Sequence, residues 1–304
     1  MTQTRLGWKT IALLMLLALI WGGNMAAIKL ASRDLAPLFM AGLRSLVATL
    51  CLLIWMKSQR MTLFPSCGLA LHGLVVGLLF GGEFAMIYVG LGYTLASHTV
   101  VMVYTAPFFV SLGAHWWLPG DRLTGAKLAG LAVAFTGVAF LFLGNPASLT
   151  GGGLAGDAMS LLAGVLWAAT TLYIKRFLVG RVTAVHTLFY QLAFSCPLLF
   201  GLSLVWEDKL ILGGDWTTLV NLFYQCIIVA FLSFLAWFRM VDRFPVSVLH
   251  GFTFFTPILG VVLSGVILLG EPLTFELITA MVLVSLGMAL VNRQAHPAPA
   301  RNCS

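Results

Sequence analysis

Charge is what this chain lacks. Only 9% of its 304 residues are Asp, Glu, Lys or Arg, against 60% hydrophobic residues and a mean hydropathy of +1.00. A soluble domain carries about 25% charged residues, so this chain cannot cover a water-facing surface and takes lipid as its solvent. Cysteine is sparse too. Cys51, Cys67, Cys196, Cys226 and Cys303 are scattered, with no C-x-x-C spacing and no His/Cys cluster. They argue against a metal site or a disulfide framework and read as small apolar core residues. No P-loop pattern occurs, so the chain is not expected to hydrolyse ATP itself. HExxH and GxSxG are missing as well. Acids inside the apolar runs reduce to Glu83, which leaves an intramembrane lipid or prenyl transferase without paired carboxylates or a nucleophile and base. No cleavable signal peptide is expected, because the first apolar run is followed at once by further runs. No cofactor and no nucleic-acid partner is called for. The formal charge of +7 is better explained by basic loops of a multispanning protein.

What is present is a series of apolar segments. At about 20 residues per crossing, they predict spans at 10–30, 37–56, 68–92, 96–118, 125–144, 154–174, 184–206, 217–241, 246–269 and 274–292. Pro119-Gly120, Gly151-Gly152-Gly153, Gly213-Gly214 and Gly270 mark turns between them. With the N-terminus placed inside, thirteen Lys and Arg residues fall in inner segments. Only Lys29, Arg33 and Lys209 fall outside, and Arg44 lies within a span. The basic bias predicts both termini cytoplasmic, in a bacterial inner membrane. The acids lean outward: Asp34, Asp157, Glu207, Asp208, Asp215, Glu271 and Glu276.

The second half repeats the first. Trp21, Ile28 and Lys29 match Trp167, Ile174 and Lys175 at a shift of 146, and Ser97, Pro107, Leu123, Thr124 and Gly137 match Ser247, Pro257, Leu273, Thr274 and Gly287 at a shift of 150. Five spans per half is an odd number, which turns the second half upside down. Inverted repeats are a signature of transporters, with the substrate near the midplane between the halves. The expected fold is therefore an all-α integral membrane protein. Ten transmembrane helices form two inverted five-helix repeats, 10–145 and 154–292, around a central cavity, and a cytoplasmic tail covers 293–304.

Trp21-Gly22-Gly23-Asn24, Arg44, Ser97 followed by Pro107, the turn Gly-Asp/Glu-x-Leu-Thr at 120–124 and 270–274, and Gly137 and Gly287 carry a resemblance. In order and duplication they resemble the EamA family of the drug/metabolite transporter superfamily, over about 10–292. The resemblance implies ten helices in inverted repeats and export of small metabolites, often amino acids. It also implies that spans 1, 3, 4, 6, 8 and 9 surround the cavity. The aromatic cast is similar to exporters of aromatic amino acids. Other metabolites, cationic drugs and a lipid-modifying enzyme are the alternatives.

Candidate site residues follow. Glu83 lies deep in span 3, where an ionisable group usually faces a cavity or a partner. It can accept the ammonium of an amino acid, carry a coupling proton, or pair with Arg44. Trp21 and Trp167 lie within spans 1 and 6 rather than at the interface, and Asn24 follows Trp21 by one turn. Tyr104, Trp237 and His250 add aromatic faces and polar tips suited to an aromatic or cationic ring. Pro107 and Pro257 sit mid-span and free the carbonyls of Val103 and Thr253, as cavity-lining pivots or as packing kinks. Arg44 could take a substrate carboxylate in a two-pronged contact, but is expected rather to snorkel or to bond helix carbonyls, and Lys29 and Lys175 to anchor helix ends. His115-Trp116-Trp117, Trp206 and Trp216 read as interfacial belt residues. Gly73, Gly77 and Gly81, spaced by four, predict a close helix contact. The partners are a small solute and membrane lipids, with a proton as an optional coupling ion.

Overall fold

Ser66, Thr183 and Asp215 each stand one residue before an apolar run. Each accepts, through its side-chain oxygen, the backbone N–H three residues on, at Leu69, His186 and Thr218. These are N-caps, and they satisfy donors that a helix leaves open at its start. The computed structural model describes residues 7–118, 123–144, 152–243 and 255–293. Among these residues every regular element is helical.

The first long helices are α1 (Trp8–Ala31), α2 (Pro37–Ser58) and α3 (Cys67–Gly90). The next apolar stretch is broken into α4 (Ala96–Val103) and α5 (Ala106–Trp117). Then come α6 (Gly125–Gly144), α7 (Gly153–Phe177) and α8 (Ala184–Trp206). A further rod runs through α9 (Trp216–Phe223), a π-helical stretch (Tyr224–Ser233) and α10 (Phe234–Arg243). After it, α11 (Phe255–Gly260) continues into a second π-helical stretch (Val261–Leu268), and α12 (Phe275–Arg293) follows. Seven of these stretches are long and apolar enough to cross a membrane. Three shorter apolar ones lie at Gly125–Leu141, Phe255–Leu268 and Phe275–Val291.

Acidic caps gather at one end of the bundle. Glu207, just past α8, accepts from Leu38 and Phe39 N–H at 2.7 and 2.9 Å and so caps α2. Glu271 accepts from Ala96 and Ser97 N–H at 2.7 and 2.9 Å and caps α4. Buried Asp157 takes hydrogen bonds from the Thr94 hydroxyl and the His98 ring. Asp34 accepts from the Thr218 hydroxyl. A carboxylate opposite a helix N-terminus is favoured by the local dipole. At the opposite end the bonds are basic and aromatic. The Arg239 guanidinium lies 4.4 Å from the Trp55 ring centre, and Arg176 donates to the Trp117 carbonyl. Trp116, Trp206 and Trp216 are exposed on the outer surface of the bundle.

Glycine sets how closely the helices approach. A methyl group at Gly73, Gly77 or Gly81 would meet Tyr190, Phe194 or Leu198 of α8 at 2.6, 2.3 and 2.9 Å. The spacing by four therefore seats α3 on α8. A methyl at Gly130 would lie 2.8 Å from the Gly287 carbonyl oxygen, which draws α6 and α12 together.

Pro107 does not kink a continuous helix. The chain breaks at Tyr104–Thr105, and Pro107 occupies the first turn of α5, where its missing N–H costs nothing. The Thr105 hydroxyl donates to the Met102 carbonyl at 2.6 Å, and α7 comes close enough that a methyl at Gly164 would lie 3.1 Å from that same oxygen. Pro257 lies in the first turn of the described part of α11, and the carbonyl it would free, Thr253, lies outside the described residues.

Candidate functional site

The four residues Trp21-Gly22-Gly23-Asn24 place α1 against both π-helical stretches. A methyl at Gly22 would lie 3.0 Å from the Gly260 backbone nitrogen, so only glycine permits this crossing without displacement. The Ser264 hydroxyl donates to the Gly22 carbonyl at 2.6 Å and accepts from the Ala26 N–H at 3.0 Å. Beside Gly23, the Tyr224 hydroxyl donates to the Ile20 carbonyl at 2.5 Å. Held this way, Trp21 donates its indole N–H to the Ser233 hydroxyl at 2.9 Å. Its ring meets Trp237 and Phe234 edge-on, with centroids 5.3 and 6.1 Å apart. Asn24 is buried and its Oδ1 has no hydrogen-bond partner.

Glu83 follows the Gly81-Gly82 pair on α3 and is 6% exposed, and its Oε2 is buried without a partner. On α2, Ala41, Arg44, Ala48 and Leu52 recur at helical spacing and are all fully buried, so Arg44 lies on the inward face. Its guanidinium carbon lies 4.0 Å from the Phe84 ring centre and 5.5 Å from that of Phe234. Nε, Nη1 and Nη2 have no hydrogen-bond partner. This corrects the expectation of a snorkelling or carbonyl-bonded anchor: the side chain points into the bundle, and aromatic faces take the place of carbonyls. Glu83 and Arg44 are not among the ion pairs within 4.0 Å, although Arg44 stacks on Phe84, the residue that follows Glu83.

Tyr104, at the break before Pro107, packs edge-on against Trp167 of α7, with centroids 5.6 Å apart. The structure thus brings Trp21 to Trp237, Tyr104 to Trp167, and Arg44 onto Phe84, the residue that follows Glu83. His250 lies outside the described residues. Three rings not singled out from sequence join the group. Phe80 and Phe84 on α3 lie 4.6 Å apart, and Phe80 also meets Phe234 at 6.5 Å. Phe84 and Phe234 enter the group through Arg44, whose guanidinium faces both rings.

Lys29 is not a plain interface anchor. It donates to the Thr94 carbonyl at 2.7 Å and to Glu271 at 3.5 Å. Deeper in, Gln225 ties three helices together. Its Oε1 accepts from the Tyr88 hydroxyl at 2.6 Å, and its Nε2 donates to the Ala27 carbonyl at 3.3 Å and faces Met40 Sδ at 3.8 Å.

Comparison with known proteins places this chain in a family. The model of the EamA-like transporter family matches residues 8–143 and again 154–293. An "Uncharacterized transporter YvbV" of Bacillus subtilis (strain 168) is 28% identical, over 94% of this chain and 92% of that protein. A "Probable amino-acid metabolite efflux pump" of Salmonella typhimurium is 25% identical, over 91% of this chain and 92% of that one. A protein of the same description in Escherichia coli (strain K12) is 23% identical over the same shares. One solved crystal structure superimposes with a TM-score of 0.67 over 96% of this chain and 100% of its own, at 18% identity, a likeness of fold.

Proposed function

The chain belongs to the EamA-like transporter family, and from that premise we propose that it exports amino acids or similar small metabolites across a bacterial inner membrane by alternating access. Both termini face the cytoplasm. Ten helices form two inverted repeats, 10–145 and 154–292, with the substrate held between them. Glu83 is the polar hook. Trp21, Asn24, Tyr104, Trp167, Trp237 and His250 form the wall, and the chain pivots near Pro107 and Pro257.

The observation that carries this reading is Glu83, a buried carboxylate with an unpartnered oxygen. A charged group at that depth costs about 2.5–3.5 kcal/mol on insertion scales unless something pairs with it. An ammonium supplied by the solute is such a partner, and the rings at Tyr104–Trp167 and Trp21–Trp237 suit an aromatic side chain. The double match of the family model supports the repeat. So does one contact. At the shift of 150, Gly137 corresponds to Gly287 and Gly130 to Ala280. A methyl at Gly137 would lie 3.1 Å from the Ala280 oxygen, and one at Gly287 would lie 2.6 Å from the Gly130 oxygen. One contact maps onto the other, as a pseudo-two-fold axis between the halves requires. Basic residues at one end of the bundle and acidic caps at the other support the orientation.

The test is uptake into liposomes carrying the purified protein, with labelled aromatic and small amino acids, with and without a pH gradient. Saturable uptake with counterflow is expected. A response to the gradient would add a coupled proton. Linear, non-saturable flux would mean a pore, and no flux of any amino acid would overturn the substrate class.

A further inference from the structure

Arg44 heads the fully buried side chains by size among the described residues, and it is costly to leave as it stands. It is fully buried, and its three guanidinium nitrogens have no hydrogen-bond partner. Arginine keeps its charge in proteins and offers five N–H donors in a fixed plane. Each buried donor left open costs about 1–3 kcal/mol, and more where the group is charged. Phe84 covers one face of the guanidinium at 4.0 Å and Phe234 lies at 5.5 Å. Cation–π contact of this kind fixes the plane and takes up none of the N–H donors along its edge.

The opposite charge is close but is not used to neutralise it. Glu83 precedes Phe84 on α3, so its side chain leaves the helix about 100° away from the ring that Arg44 covers. No ion pair within 4.0 Å joins the two groups, and Glu83 Oε2 has no partner. They also share a level in the bundle. Arg44 comes seven residues after Pro37 at the start of α2, and Glu83 seven before Gly90 at the end of α3. At 1.5 Å per residue both sit about 10 Å in from the same end.

We propose that Arg44 and Glu83 are the two ends of a receptor for a zwitterion, the head group of an α-amino acid. The guanidinium takes the carboxylate in a two-pronged contact, and Glu83 takes the ammonium. The ligand satisfies both buried groups at once, since its own charges are one carbon apart. Phe84 and Phe234 hold the fork in its plane, and Trp21, edge-on to Phe234, continues the aromatic surface. The assignment deepens the exporter reading and rests on it. It adds a carboxylate requirement, which a site built on Glu83 alone does not have, and it brings α2 into a site otherwise formed by α1, α3, α4, α7 and the rod containing α10. It also excludes simple organic cations as preferred substrates.

The experiment is equilibrium binding to the purified full chain in detergent, followed by proteoliposome flux. The probes are L-phenylalanine, phenethylamine (no carboxylate) and 3-phenylpropionate (no ammonium), with L-threonine and L-alanine as small zwitterions. Wild type is expected to bind at least one zwitterion tenfold or more tighter than either half-molecule. Arg44→Gln removes the preference for phenylalanine over phenethylamine, and Glu83→Gln removes the preference over 3-phenylpropionate. Arg44→Lys, charged but without the fork, restores part of the first preference. The wild-type panel decides the matter even if a variant does not fold. Equal binding of phenethylamine and phenylalanine, or no binding of any zwitterion, overturns the receptor. Binding with that selectivity but no flux would overturn the exporter reading and leave the receptor standing. Flux with equal affinity for amine and amino acid does the reverse.

Discussion

Lys29 and Glu271, 242 positions apart, meet at 3.5 Å where the end of α1 faces the start of α4. The carboxylate does more than pair with the lysine. It also accepts two backbone N–H groups of α4, and Glu271 is 7% exposed while the Lys29 side chain is 31% exposed. Glu271→Ala should therefore destabilise the chain by about 2 kcal/mol, as loss of a charged cap with two buried donors. Lys29→Ala should cost about 1 kcal/mol or less, because a half-solvated pair contributes little. Thermal unfolding in detergent reads both. Equal losses would mean that the ion pair, not the cap, dominates.

The α3–α8 seam gives a sharper contrast within one residue type. A methyl at Gly77 would lie 2.3 Å from Phe194 Cβ and 2.8 Å from the Tyr190 carbonyl oxygen, so Gly77→Ala must push two helices apart. Overpacking of this kind costs about 1–3 kcal/mol. Gly68, on the same helix, has nothing within 4 Å of the added carbon. There, Gly68→Ala should be neutral or stabilising by up to about 1 kcal/mol through helix propensity. The two variants, compared by thermal midpoint and by monodispersity, should move in opposite directions.

Gln225 joins α1, α2 and α3 to the rod that carries it. Tyr88→Phe strips the donor from Gln225 Oε1 and leaves that buried oxygen open, for an expected loss of about 1–3 kcal/mol. Adding Gln225→Leu removes the orphaned oxygen. If the account is right, the double variant loses less than the sum of the singles, which a double-mutant cycle measures. Strict additivity would show that the Tyr88 hydroxyl contributes nothing through Gln225.

Helix positions were legible because apolar runs of the right length leave few other options in lipid. The span read at 96–118 appears at Ala96–Trp117, and the span read at 37–56 at Pro37–Ser58. Glycines spaced by four gave the α3 seam. The gathering of acids at one end of the bundle also had a physical cause that the sequence did not reveal: Glu207, Asp215 and Glu271 cap helix starts there. What stayed illegible was direction. A helix as apolar all round as α3 has no polar face to show which side is inward, so position along the helix was readable and facing was not. For Arg44 on α2 a substrate contact and a helix anchor both stayed open, and its inward facing had to be seen. Two π-helical stretches, Tyr224–Ser233 and Val261–Leu268, left no trace in composition, since i→i+5 bonding carries no residue signature. They hold Tyr224, Ser233 and Ser264, the three groups that bind α1 around Trp21, so that part of the site had to be seen.

Glu83→Gln keeps the shape of the side chain and removes its charge. Inside the bundle this relieves a desolvation cost, so the folded protein should be as stable as wild type or more so. Flux of amino acids should nevertheless fall tenfold or more, because the ammonium loses its counter-charge. Full flux with unchanged affinity would remove Glu83 from the site.

Trp167 and Tyr104 meet at 85° with centroids 5.6 Å apart, next to the break that precedes Pro107. An edge-to-face pair is worth about 0.5–1.5 kcal/mol beyond its buried area, so truncating Trp167 loosens Tyr104 as well as removing a wall. If these rings face the solute, Trp167→Ala should weaken flux of phenylalanine or tryptophan by tenfold or more and leave alanine or threonine within about threefold, since small side chains do not reach the wall. Trp167→Phe, which keeps a ring, should recover much of the aromatic flux. If the pair serves only to hold α7 against the α4–α5 break, all four substrates should fall together, and Trp167→Phe should rescue them in the same proportion. The ratio of aromatic to small-substrate flux, not the absolute rate, separates these outcomes, because a general loss of folded protein scales every substrate alike.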